Sequence, residues 1–421
     1  MVYDVAGIGI GPFNLGLSSL LETVPSVKKV FFDRKSEFAW HKGIMPNWST
    51  LQIPFIADLV TLVDPTSDFS YLNYLKVHGR LHRFYIYENF YISREDYNAY
   101  CKWVCKQQKD LVFGKRVETV VYNQKTELYR LEIRDLGNHS LDQVYAKKLV
   151  LGTGTVPIRP SFYQENDPRH CLINDYSYQK EELKNNEIIT VVGSGQSGAE
   201  AFYDLLLDLK DNSYSLQWIG RIKHFMAMDL NKLALEITTP DYAKFFYDLP
   251  KENKQELVIA QRALYKGVNF KLLNAIYDYL YEHYELCKGR VEIFPSLELL
   301  DCRETVNAWQ LQARSTSSGK AIELETQALI FALGFRYEEP DFMRTLDDVL
   351  RRNDDGELVV SENFTVDKRN TIFVQNVGLS QHGIVTPDLS VGPFRNAMIV
   401  NELLGQEFYA PDRHFTFQRF V

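Results

Sequence analysis

Residues 187–210 read EIITVVGSGQSGAEAFYDLLLDLK: a short apolar run, a glycine turn, then Ala201, Phe202, Leu205, Leu206 and Leu209 along one helical face. The turn, Gly193-Ser194-Gly195-Gln196-Ser197-Gly198, is a full GxGxxG between a strand and a helix. That arrangement brings backbone close to a pyrophosphate seated on the positive end of a helix dipole. The strand that follows, SLQWIGR at 215–221, ends without an acid; Arg221, Lys223 and His224 stand there instead. Cations at that place suit a 2′-phosphate better than a free 2′-hydroxyl, so NADPH is expected over NADH.

The same order of elements opens the chain. VYDVAGIGIGPFNLGLSSLLE at 2–22 is a strand, a turn with Gly7, Gly9 and Gly11, and a helix beginning Pro12, Phe13, Asn14. Counted from Gly9, Asn14 stands where GxGxxG would place its third glycine. The next strand, KKVFFD at 28–33, ends at Asp33, about 20 residues beyond the turn, as recognition of a ribose requires. Two such units predict an α/β fold with two Rossmann-like dinucleotide-binding domains. Two strand-to-Gly/Pro crossovers, KKLVLGTGTVPIRP at 147–160 and ALIFALGFRYEEP at 328–340, are the natural exchange points. The expected layout is a first domain of residues 1–155 plus 325–421, interrupted by a second at 185–325 with a helical substrate-binding segment near 230–290. Within that segment FKLLNAIYDYLYEHY at 270–284 puts Leu273, Ile276, Tyr277 and Leu280 on one packing face. The chain closes with a helical pattern, VGPFRNAMIVNELLG, stopped at Gly405.

A chain of 421 residues, 45% hydrophobic and 24% charged, is long enough for more than one core and has the composition of a globular protein. A net charge of −8 argues against nucleic-acid backbones and anionic membranes as partners. No leader pattern opens the sequence, and five cysteines, an odd and small number, fit a reducing compartment; a cytoplasmic location is expected. Whether the chain forms a homo-oligomer is left open.

Two dinucleotide sites restrict the chemistry. A disulfide reductase needs a redox cysteine pair, and the only close pair, Cys101 and Cys105 in DYNAYCKWVCKQQ, is spaced for one helical turn and reads as core packing. No Cys/His cluster has metal-ligand spacing, so no metal is expected, and no GxSxG elbow supports acyl transfer. No side chain is nominated as catalytic, and a flavin is left as the group that does the chemistry.

At this point the chain resembles the microbial flavin-dependent N-hydroxylating monooxygenases of siderophore biosynthesis, whose better-known members act on lysine or ornithine. The resemblance rests on GIGPFNL at 9–15, FAWHKGIMPN at 38–47, LQIPFIADLVTLVDPTSDFSYLNYL at 51–75, VVGSGQSGAE at 191–200, FALGF at 331–335 and QHGIVTPDLS at 381–390. It implies FAD, NADPH and O2, with oxygen transfer to a neutral primary amine. It also implies that Trp40, His41 and Gln52 line the flavin ring, with His382, Leu389 and Ser390 returning to it and Gln52 and Ser390 near the reacting end. Gly9, Gly11, Pro12, Phe13, Asn14 and Asp33 would hold FAD; Gly193, Gly195, Gln196, Ser197, Gly198 and Arg221 would hold NADPH. Leu333 departs from the family's usual threonine.

Ala57 is the informative departure. Amino-acid-hydroxylating relatives read FLKDL where this chain has Phe55-Ile56-Ala57-Asp58-Leu59, and their lysine meets the substrate's α-carboxylate. Alanine cannot balance a buried anion, so the expected substrate is a diamine, putrescine or cadaverine. Lys266 or Lys271 replacing that lysine is the alternative, which would restore L-lysine N6- or L-ornithine N5-hydroxylation; Lys266 and Asn269 are assigned with Ala57 to the substrate region. Asp58 and Asp388 are weighed as holders of the remote ammonium. A Baeyer–Villiger type of monooxygenase is disfavoured because its FxGxxxHxxxW fingerprint is absent, and a non-catalytic FAD/NADPH redox sensor is the rival from outside enzymology.

Overall fold

A computed structural model describes residues 2–165, 167–229, 231–412 and 414–421. The first sheet places Leu111–Phe113, Lys29–Asp33, Val2–Ile8 and Leu141–Leu151 side by side and parallel. The long strand Leu141–Leu151 serves two structures. Its first half pairs antiparallel with Leu128–Asp135, which pairs with Lys115–Asn123; its end, Leu149–Leu151, pairs parallel with Ile372–Val374. The C-terminal part of the chain thus returns to the same sheet as the N-terminus, beside the first glycine turn. Val5, Leu15, Leu20, Phe31 and Val150 fill the core between this sheet and its helices.

The second sheet is wholly parallel, in the order Val291–Phe294, Ser215–Ile219, Ile188–Val192, Ala328–Phe331, His170–Leu172. Both faces of a parallel sheet must be covered. The helix Gln196–Asp208 covers one, burying Ala201, Phe202, Leu205 and Leu206, and a three-stranded antiparallel layer covers the other with Trp309 and Leu311. Ala328–Phe331 and His170–Leu172 both lie in this sheet, so the limits of 325 and 185 read from the sequence fall inside it. We place the exchange instead at Val156–Pro157 and Phe335–Arg336, which pair antiparallel where the chain crosses in each direction.

The segment near 230–290 is helical, with Pro240–Asp248, Lys251–Ala260 and Phe270–Glu282 its main helices. Phe270–Glu282 buries Leu272 and Ile276, whereas Tyr277 is 70% exposed. Of the face expected from the sequence, Ile276 is buried and Leu273 and Leu280 pack against the same cluster, and only Tyr277 points away, with Leu272 joining the contact on Gln196–Asp208. Pro240–Asp248 sits on the first domain, its Tyr242 and Phe246 in one cluster with Val385 and Val391. The C-terminal residues cross it: Asp241 accepts from the backbone N–H groups of His414 and Phe415, and Glu236 from those of Phe417 and Gln418. Among the described residues no helix is long and apolar enough to cross a membrane.

Candidate active site between two dinucleotide turns

The first turn has the shape its glycines allow. Gly9 has φ of +92°, and a Cβ there would run into the Gly152 carbonyl; at Gly11 a Cβ would meet nothing within 4 Å. Gly11 caps the helix Pro12–Leu21 and, among the described residues, no side chain bonds the helix's first N–H groups, as a pyrophosphate seat requires. Asn14 does not break the motif. It is buried, and its Nδ2 donates to Gly9 O at 2.8 Å, tying helix to turn where a third glycine would have let them touch. Asp33 ends its strand as expected, but one carboxylate oxygen accepts from Ile10 N at 2.7 Å and the other from Lys35 N at 2.8 Å. It shapes the turn as well as standing at the ribose position.

The second turn repeats the cradle. Gly193 has φ of +137°, with the Ala332 carbonyl where its Cβ would be, and Gly198 would put a Cβ into the Gly193 carbonyl. Gly195 is open and caps its helix without a side chain. Ser197 lies in the first turn of that helix. Arg221 and Lys223 are exposed just past Ser215–Ile219, and neither is in an ion pair among the described residues. The Gln196 side chain is otherwise engaged: its Nε2 donates to Glu200 at 2.7 Å, and its Oε1 accepts from Asn269 N at 2.7 Å.

Between the turns lie the loops after Asp33. Trp40 packs edge-on against His41 and Tyr97. His41 keeps exposed surface, and the rings of Trp40 and Phe335 packed on it, with the nearby Arg94 and Lys35 charges, hold its imidazole below the ordinary histidine range. Gln52 Nε2 and Asn14 Oδ1 are buried with no partner among the described residues. Orphaned amide groups beside a glycine cradle are what a polar cofactor would satisfy, so the residues present fit FAD. Ala57 is buried, at 3% exposure. Asp58, next to it, accepts from Val60 N, Thr61 N, Thr61 Oγ1 and Tyr71 N; burial pushes its carboxyl up against those bonds. Its oxygens are committed to the turn, which removes it as a holder of the remote ammonium.

The segment 383–391 is brought to the first turn by Arg395, a residue the sequence reading passed over. Its guanidinium is wholly buried, donates to Thr386 O at 2.7 Å and Val385 O at 3.1 Å, and lies over the rings of Phe13 and Phe364. Burial holds it down at about 10. Asn396 adds a bond from Nδ2 to Phe13 O at 3.0 Å. Pro12, Phe13, Asp58, Tyr97 and Leu389 consequently share one small cavity. Ser390 donates from N and Oγ to Asp388 Oδ1, a local cap, and Asp388 Oδ2 has no bond among the described residues. His382 is placed elsewhere: its Nε2 bonds to Ser361 O, and its ring stacks on Phe364 beside Tyr247. Lys266 is exposed with its ammonium over the Tyr265 ring, while Lys271 lies over Tyr91. Asn269 Oδ1 accepts from Lys271 N, capping Phe270–Glu282. A buried arginine inside an apolar helical pattern, VGPFRNAMIV, was the one signal that could have revealed Arg395.

The profile of the L-lysine 6-monooxygenase/L-ornithine 5-monooxygenase family matches residues 1–337. The chain belongs to this family. It is 40% identical to the putrescine N-hydroxylase of Acinetobacter baumannii over 420 residues, covering 100% of this chain and 94% of that protein. It is 41% identical to the putrescine N-hydroxylase of Shewanella oneidensis over 420 residues, covering 100% of this chain and 84% of that one. Among solved structures it is similar to the FAD-bound cadaverine monooxygenase of the desferrioxamine pathway in Erwinia amylovora. There the TM-score is 0.96 and the identity 39%, over 99% of this chain and 98% of that one.

Proposed function

We propose that the protein N-hydroxylates one terminal amine of an aliphatic diamine, putrescine or cadaverine, in siderophore biosynthesis, using FAD, NADPH and O2. The observation behind the choice of substrate is Ala57, buried where the amino-acid-hydroxylating relatives have lysine. The putrescine and cadaverine enzymes to which the chain is similar over nearly its full length support the same reading. FAD, reduced by NADPH, supplies the place where O2 is activated for transfer of one oxygen atom to nitrogen.

The chain's own residues have three tasks. The two open helix N-termini at Gly11 and Gly195 seat the two pyrophosphates on facing domains. Arg395 pins residues 385–386 against Phe13, closing the flavin end from water and keeping it dry. The reacting amine must be neutral, although a free alkylammonium has a pKa of about 10.4. A pocket at the buried Ala57, whose neighbour Asp58 already accepts four hydrogen bonds, favours the deprotonated terminus by desolvation.

The test is hydroxylamine formed against NADPH consumed, with putrescine, cadaverine, ornithine and lysine, for the parent and Ala57→Lys. Product from the diamines alone, with activity towards amino acids gained in Ala57→Lys, is expected. Tight binding of lysine by the parent would mean that Lys266 or Lys271 has taken over the carboxylate.

A further inference from the structure

One ionic network joins the helix Arg94–Gln107, the coenzyme helix, the start of Phe270–Glu282 and the loop at residues 44–50. Arg94, the first residue of the helix Arg94–Gln107, is buried and forms a two-bonded pair with Glu200, at 2.8 and 2.6 Å. The same guanidinium donates to Ile44 O at 3.3 Å and Thr50 O at 3.2 Å, on the loop that leads from Trp40 and His41 to Gln52. Glu200 lies one helical turn after Gln196 in the coenzyme helix and accepts the Gln196 Nε2 bond. Gln196 Oε1 in turn accepts from Asn269 N, the capping residue of the substrate-side helix Phe270–Glu282. Nothing about a GxGxxG turn requires its first helical side chain to be bonded within the protein. Here it is, and both ends of the amide are used.

A charged pair removed from water is poor at stabilising a fold but good at fixing geometry, since each partner left alone would be costly. The Gln196 amide has one acceptor and one donor end, so a carboxylate on one side and a backbone N–H on the other fix its orientation. We propose that Arg94, Glu200 and Gln196 are positioning residues that couple occupancy of the coenzyme turn to the order of the substrate helix and the flavin-side loop. The backbone N–H of Gln196 belongs to the seat of the coenzyme phosphate, and its side chain holds Asn269. Ordering the one restrains the other, and by reciprocity substrate bound at the helix strengthens coenzyme binding. This rests on the reading of the second turn as the NADPH site.

The test uses FAD-loaded protein and needs no turnover. Amide hydrogen exchange in residues 268–282 is measured with and without NADP+, each variant being held at ten times its own dissociation constant. In the parent, NADP+ should slow exchange there by about five-fold or more. In Gln196→Met and in Glu200→Gln the protection should vanish although coenzyme is bound. Exchanging the two groups, as Gln196→Glu with Glu200→Gln, restores a carboxylate facing an amide and an acceptor for Asn269 N; protection should return. A merely structural role would lower the melting temperature of all variants and leave the NADP+ effect intact, and that result overturns the proposal. So does a parent in which bound NADP+ changes nothing in 268–282. Absence of NADP+ binding to the parent would instead defeat the coenzyme assignment itself, and failure of all diamines as substrates would defeat the proposed function while leaving this test standing.

Discussion

Replacing Arg395 by methionine isolates what the buried guanidinium does. The substitution keeps a long flexible side chain in the cavity but leaves Thr386 O and Val385 O, bonded at 2.7 and 3.1 Å, without partners. Two unsatisfied buried carbonyls cost about 1–3 kcal/mol each, and loss of the stacking on Phe13 and Phe364 adds about 1 kcal/mol. Against this stands relief from burying a charge, since the Arg395 guanidinium has no carboxylate bonded to it among the described residues and burial alone holds it down at about 10. The net expectation is a loss of about 3 kcal/mol, a sizeable part of the ~5–15 kcal/mol that holds a typical domain. Because the clamp ends on Phe13 in the first turn, FAD affinity should fall at least about ten-fold, the equivalent of 1.4 kcal/mol. Urea unfolding of the FAD-loaded protein gives the first quantity and fluorescence titration of FAD the second. A variant within about 0.5 kcal/mol of the parent, with unaltered FAD affinity, would show that residues 383–391 hold their place without Arg395 and would refute the reasoning.

Other perturbations separate the two halves of the site. Burial holds His382 at about 3, below the ordinary 6.5. A depressed base takes up protons more readily unfolded than folded, so His382 costs stability as pH falls from about 6.5 towards that value, by up to about 1.4 kcal/mol per unit. His382→Phe should therefore flatten the acid side of an unfolding-against-pH curve, and an unchanged slope between about pH 6 and pH 4 would contradict the burial argument. Gly193→Ala places a side chain at φ of +137° and against the Ala332 carbonyl. It should weaken NADP+ by roughly 30-fold or more, for about 2 kcal/mol of strain, while FAD still binds; equal loss of both cofactors in parallel titrations would mean that the two turns are not independent.

The glycine turns were legible because their chemistry is local: a positive φ and a missing Cβ leave a mark within six residues, and Gly9, Gly193 and Gly198 sit where that mark predicts. Asn14 shows the limit of the pattern, since a side chain that bonds the Gly9 carbonyl does by hydrogen bonding what a glycine does by close approach. The limits of the second domain are hard to read from sequence because Ala328–Phe331 looks the same whichever sheet it joins; its pairing with Ile188–Val192 is what decides. His382 was assigned to the flavin through the family resemblance of QHGIVTPDLS at 381–390, and the bond from its ring nitrogen to Ser361 O, a residue 21 positions away, is not readable from that motif. The pairing of Arg94 with Glu200 left no spacing to read, because the two residues lie 106 positions apart. Arg395 bonds backbone carbonyls, and only its place in an apolar helical pattern marks it.

The buried methyl of Ala57 also ranks the selectivities. A substrate carboxylate brought to the buried Ala57, beside Asp58 whose oxygens are already filled, would be desolvated without the lysine that the family resemblance puts there, at a cost of several kcal/mol. Each 1.4 kcal/mol is ten-fold, so rejection of lysine and ornithine by charge alone should reach at least about a thousand-fold. Putrescine and cadaverine differ by one methylene, which an apolar pocket distinguishes by about 1–3 kcal/mol, or 10–200-fold. The preference between the diamines should therefore be smaller than the preference for either over an amino acid. Competition assays with all four amines in one vessel would measure both ratios at once. An order in which lysine outcompetes the poorer diamine would require a cation near Ala57, and Lys266 or Lys271 would have to leave its aromatic ring to supply it.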